Sequence, residues 1–129
     1  MPDVNAVIDR FFTFWSEPNA ARRQEIIAQT FTEDARYVTP QFAVQGHEGI
    51  ANMAEDLARH LPGYRYLRAS DIDAHNDRVR VGWEVIPPVG PVRFAAGVNF
   101  CEFAPDGRLS AITGFTDFLA HPEGAHAGE

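Results

Sequence analysis

The sequence predicts an α+β fold in which a curved antiparallel sheet wraps three N-terminal helices like a cone. Three observations carry that expectation. Apolar residues in the first half of the chain recur at helical spacing. The pattern changes to alternation after Pro62-Gly63. Turn signals then divide the remainder into four long strands. At 129 residues the chain has the length of one ordinary domain. It reads as a single domain over residues 1–120, followed by a Gly/Ala-rich flexible tail from 121 to 129.

Each element has its own warrant. Val4, Val7, Ile8, Phe11, Phe12 and Trp15 form one helical stripe that starts at Pro2 or Asp3 and stops at Pro18. A second helix runs from Ala20 to Thr30 behind Asn19 as its N-cap, with Ile26, Ile27 and Phe31 as its apolar positions. The chain then turns through Thr32-Glu33-Asp34. Arg36 to Thr39 and Phe42 to Val44 read as two short strands about Pro40, closed by Gly46. A third helix, Glu48 to His60, carries Ile50, Met53, Ala54 and Leu57 on one stripe and ends at Pro62-Gly63. The four long strands are Tyr64–Ala74, Arg78–Ile86, Val92–Phe103 and Leu109–Phe118. Arg78-Val79-Arg80-Val81 alternates, so one face of that strand is wet and the other dry. The strand from Val92 to Phe103 is apolar on both faces, which calls for helices on one side and a second subunit on the other.

Composition excludes several function classes. The net charge is −7, every cation is Arg, and no basic cluster exists, so nucleic acid is an unfavourable partner. No apolar run approaches the roughly 20 residues that span a bilayer. Met1-Pro2-Asp3 has neither a basic nor an apolar leader region, and the expected location is cytoplasmic. One cysteine, Cys101, rules out an internal disulfide and a multi-cysteine metal site. The five histidines show no zinc-like spacing beside an acid, so neither a metal nor a cofactor is implied. Ten Phe exceed what a small core commonly needs and point to an apolar cavity or an interface.

The element order, with Phe31-Thr32-Glu33-Asp34-Ala35-Arg36-Tyr37 after the second helix and Gly46-His47-Glu48-Gly49-Ile50 opening the third, resembles the nuclear transport factor 2-like superfamily. Its SnoaL-like branch, related to polyketide cyclases and ketosteroid isomerases, is the most similar. The resemblance spans Val4 to Phe118. It implies a cystatin-like α+β roll, a deep apolar pocket between helices and concave sheet, a small apolar ligand, and a homodimer formed through the sheet. It does not imply one chemistry, because the fold hosts isomerases, cyclases, dehydratases, hydrolases and binders.

Against the ketosteroid isomerases, Phe11 stands where that family has a Tyr, Thr39 before Pro40 where it has the general-base Asp, and Asn99 where it has an oxyanion-hole Asp. A phenyl ring cannot donate, and a Thr hydroxyl is no base near neutral pH, whereas an amide can still donate to a carbonyl or enolate. Limonene epoxide hydrolase uses an Asp-Arg-Asp network, and the stretch Arg80-Val81-Gly82 lacks the second acid. The SnoaL-type cyclases use a pocket Asp on the last strand, which Asp117 in Gly114-Phe115-Thr116-Asp117 matches.

Two residues are therefore candidates for chemistry. Asp117, the one acid in the apolar final strand, is either a buried acid/base or a strand-end carboxylate facing water. Asn99 is either a donor to a ligand carbonyl or a structural amide, in the core or at a dimer contact. Phe11, Trp15, Tyr37, Thr39, Trp83 and Phe103 are the candidate ligand-binding side chains, with ordinary core packing as the alternative for each aromatic. Tyr64 and Tyr66 share one face of their strand and read as solvent-side or interface packing. Three functions remain open: a cofactor-free isomerase or cyclase acting next to a carbonyl, a non-catalytic small-molecule-binding dimer, and a structural dimerisation domain with a plugged pocket.

Overall fold

The computed structural model describes residues 3–90 and 92–120; the tail expected from 121 to 129 lies outside them. The element order is α1 Val4–Phe14, α2 Ala20–Thr30, β1 Phe31–Val38, β2 Ala43–Gln45, α3 Gly46–His60, β3 Arg65–Arg68, β4 Asp73–His75, β5 Arg78–Ile86, β6 Ala95–Phe103 and β7 Leu109–Leu119. Seven strands make one sheet in the order β2-β1-β7-β6-β5-β3, with β4 beside β5. It is antiparallel except where β1 runs parallel to β7, so the sheet is mixed rather than wholly antiparallel.

Local chemistry sets the helix ends. The Asp3 carboxylate accepts from the Ala6 N–H at 3.2 Å, and the Asn19 side chain accepts from the Arg22 N–H at 2.9 Å, satisfying donors that the first turns leave free. Arg23 donates twice to the Glu17 carbonyl, at 3.2 and 3.1 Å, and so closes the α1–α2 turn. Gly46 opens α3 at φ 83°, a left-handed geometry that only glycine adopts without strain.

Two differences from the sequence reading are the largest. Thr32-Glu33-Asp34 lies within β1 rather than in a free turn. The strand is irregular there: between Phe31 and Arg36 it advances five residues while β7 advances only from Leu109 to Ala111. The turn chemistry survives inside the strand, as Thr32 Oγ1 donates to the Asp34 carboxylate at 3.1 Å. The long strand expected from Tyr64 to Ala74 is broken into β3 and β4, because the Ser70 hydroxyl accepts the Gly82 N–H at 2.7 Å in place of a strand carbonyl.

The core lies between α1 and the concave sheet face. Phe11, Phe14, Phe31 and Tyr37 are buried and linked by ring contacts, with Phe11 against Tyr37 at 5.8 Å and Phe14 against Phe31 at 5.6 Å. Val79, Val81 and Trp83 point inward from β5, while Arg78 and Arg80 sit on the wet face and pair with Glu102 and Asp73. Arg108 ties the β6–β7 turn to the α2–β1 junction by donating to the Ala28 and Phe31 carbonyls and to Glu33. His47 Nε2 meets the same Phe31 carbonyl at 2.8 Å, as a donor. On the outer face Phe100 and Phe115 remain 44% and 51% exposed and stack edge to face at 5.8 Å.

Candidate functional site: an aromatic cavity with a polar floor

Residues at the end of α1, along α3 and on the concave face enclose a cavity of about 360 Å³. Trp15 enters from the end of α1, Leu57 from α3 and Leu61 from just past its end, Tyr66 from β3, and Trp83 and Val85 from β5. Tyr66 packs against Phe12 at 5.1 Å, Trp15 at 5.0 Å and Trp83 at 5.6 Å. These contacts hold its ring in one position.

Polar atoms gather at the floor. Asn99, 1% exposed on β6, donates its Nδ2 hydrogen to the Tyr66 hydroxyl at 2.8 Å. Tyr37 lies beside this pair. The Tyr37 and Tyr66 hydroxyls each influence the other's ionisation. Burial is the main cause that pushes both phenols above the ordinary tyrosine range. Cys101 follows Asn99 on the same strand face, and burial pushes its thiol up to about 12. Such a thiol stays protonated at neutral pH and is a poor nucleophile.

Glycine makes room for this floor. A Cβ on Gly114 would sit 2.8 Å from Asn99 Oδ1 and 3.1 Å from Thr39 Cγ2. A Cβ on Gly97 would lie 1.9 Å from the Phe115 carbonyl oxygen, so only glycine allows the close strand approach there.

The SnoaL-like domain model matches residues 8–112, most of the chain. The chain belongs to the SnoaL-like family. A candidate isomerase of that family from Agrobacterium tumefaciens superposes with a TM-score of 0.83 at 31% identity, over 88% of this chain and 96% of the other. A candidate SnoaL-like polyketide cyclase from Jannaschia sp. CCS1 gives 0.64 at 20% identity, over 86% and 85%. A nuclear transport factor 2-like protein of unknown function from Exiguobacterium sp. 255-15 gives 0.70 at 15% identity, over 86% and 98%. At these lower identities the likeness speaks for the fold alone. No curated protein matches the chain.

In this SnoaL-like protein Trp15, Tyr37, Thr39, Trp83 and Asn99 all line the cavity. Phe11 and Phe103 do not, because both are spent on the core, Phe11 beneath Tyr37 and Tyr66. Asp117 is the main correction: its side chain is exposed and outside the cavity lining. On β7, Ile112 and Gly114 are buried and Thr116 lines the cavity, so Asp117 follows on the other face. It is also the extra residue of a bulge, since Ala96 pairs with Phe118 and Gly97 with Thr116. The bulge resets the parity, so that Leu119 rather than Phe118 lines the cavity. An acid/base role for Asp117 inside the cavity therefore falls.

Tyr66 is a cavity residue that the sequence did not single out as ligand-binding. The period-two pair Tyr64/Tyr66 marked a shared face, and both residues line the cavity instead of facing solvent or a partner. The register that opposes Tyr66 to Val85 decides this, and it depends on where β3 breaks.

Proposed function

We propose that this SnoaL-like protein binds a largely apolar small molecule without positive charge in the cavity and holds it without acid/base chemistry from a carboxylate. One observation supports this above the others. The lining is dominated by aromatic and aliphatic side chains and includes no Asp, Glu or His. Its volume of about 360 Å³ falls in the range that takes a small-molecule ligand. A cationic ligand would leave water for an apolar chamber with no carboxylate to pair it, at a cost of several kcal/mol, whereas Arg65 at the lining gives an anionic oxygen one partner.

A second reading, cofactor-free proton transfer next to a carbonyl, draws support from the candidate isomerase of Agrobacterium tumefaciens. In this cavity no carboxylate or imidazole remains to act as the base, and a phenol with a raised pKa stays protonated at neutral pH, able to donate a hydrogen bond but not to take a proton from carbon. The binding reading therefore leads. A homodimer belongs to the same proposal: Phe100 and Phe115 form an exposed aromatic pair on the outer sheet face, and a second copy would cover them.

Both statements have direct tests. The chain has two tryptophans, Trp15 and Trp83, and both line the cavity, so intrinsic emission reports on it. Titration with tetralin, excited at a wavelength tetralin does not absorb, is expected to shift that emission saturably. An unchanged spectrum up to the solubility limit of tetralin would refute the binding reading. Light scattering is expected to give twice the 14.3 kDa chain mass; the mass of one chain would remove the dimer.

A further inference from the structure

We propose that Tyr66 is the residue that recognises the ligand's polar atom, donating its hydroxyl proton to an acceptor oxygen, and that Asn99 is the positioning residue that turns the proton toward the cavity. The proposal rests on the cavity's being a binding site, and it deepens that reading by naming the chemical class of the ligand.

Hydrogen-bond direction carries the argument. A phenol has one proton to give and two lone-pair sites to receive. Asn99 Nδ2 fills one of those sites at 2.8 Å. With Asn99 donating to it, the Tyr66 hydroxyl keeps its own hydrogen to give, on a side chain that lines the cavity. Buried donors find acceptors, because an unpaired one costs about 1–3 kcal/mol. The occupant that satisfies Tyr66 thus offers a lone pair: a ketone, ester or enolate oxygen on an apolar body. An ammonium group has no lone pair and offers only the wrong polarity at this atom.

The direction is held by packing as well as by hydrogen bonding. Phe12, Trp15 and Trp83 fix the Tyr66 ring. The bare Cα of Gly114 leaves room for the Asn99 carboxamide. One hydrogen of the Asn99 amide is thereby engaged by Tyr66. This reverses the role that its place on β6 suggests: the amide supports the donor instead of being the donor.

The experiment uses the full chain and three bicyclic probes of nearly equal size: tetralin, 1-tetralone labelled with ¹³C at the carbonyl, and 1-tetralol. Their Kd values and the ¹³C shift of the bound ketone are measured for the wild type, Tyr66→Phe and Asn99→Leu. In the wild type the ketone is expected to bind more tightly than tetralin, and its carbonyl carbon to move downfield of its position in hexane. Tyr66→Phe is expected to weaken the ketone about three- to ten-fold, leave tetralin unchanged, and return the carbon shift to its hexane value. Asn99→Leu is expected to reduce the shift while tetralin still binds.

Three results would overturn the proposal. One is a wild-type preference for 1-tetralol over the ketone, which would make Tyr66 an acceptor. Another is a carbonyl shift that survives Tyr66→Phe. The third is a shift abolished by Asn99→Leu alone, which would make the amide the donor. If tetralin itself fails to bind the wild type, the binding reading fails and the proposal falls with it. The wild-type ordering needs no variant, so a misfolded substitution does not block the test.

Discussion

Replacing Gly114 by alanine tests how the polar floor is built. The added Cβ would lie 2.8 Å from Asn99 Oδ1 and 3.1 Å from Thr39 Cγ2, closer than such atoms approach without adjustment. Gly114 has no positive φ, so its backbone accepts alanine and the cost is contact alone. Asn99 is buried and held by Tyr66, so its carboxamide yields by rotating away from that hydroxyl. Losing the bond and leaving buried polar groups unpaired costs about 1–3 kcal/mol. The restricted unfolded chain returns about 0.4–1 kcal/mol. The net loss is about 1–2 kcal/mol. An unfolding entropy of about 2.1 cal/mol/K per residue gives about 0.27 kcal/mol/K for a chain of 129 residues. The expected fall in Tm is therefore about 4–7 °C, read by calorimetry, together with a weaker preference for 1-tetralone over tetralin. A variant with an unchanged Tm and unchanged preference would show that Asn99 is not confined as described, and would refute the reasoning.

Two other outcomes follow from the same structure. Asp117→Asn is expected to leave probe binding unchanged and stability within about 0.5 kcal/mol, because the side chain is exposed and outside the cavity; a lost tetralin titration would restore the acid to the site. The phenols of Tyr37 and Tyr66 are acids whose folded pKa values lie above the ordinary 10.0. The native state then holds protons that the unfolded chain gives up, so stability is intact below pH 10 and declines as the pH rises beyond it. Phenolate absorbance from these two is expected to appear only with alkaline unfolding, and ionisation near pH 10 in the folded protein would contradict their burial.

The fold was legible because its signals are local and repeated. The stripe from Val4 to Trp15, the caps at Asp3 and Asn19, and the alternation from Arg78 to Val81 each report one element from adjacent residues. The parallel pairing of β1 with β7 left no such mark, because it depends on contacts between distant segments. The site was legible by residue type and not by parity. Trp15, Trp83 and Asn99 were found because bulky rings and a lone amide stand out in apolar stretches. Asp117 was misplaced and Tyr66 overlooked for one physical reason: a side chain's face in a strand inverts with a single-residue slip. The bulge at Asp117 and the break between β3 and β4 are features of pairing, not of composition.

The central claim is that the cavity is where a ligand sits. A crystal grown with 1-bromonaphthalene tests it most directly, because the bromine is located by its anomalous signal. The expected result is one ordered bromine inside the chamber bounded by Trp15, Tyr66 and Trp83. An empty chamber, with bromine only against Phe100 and Phe115 on the outer sheet face, would contradict it.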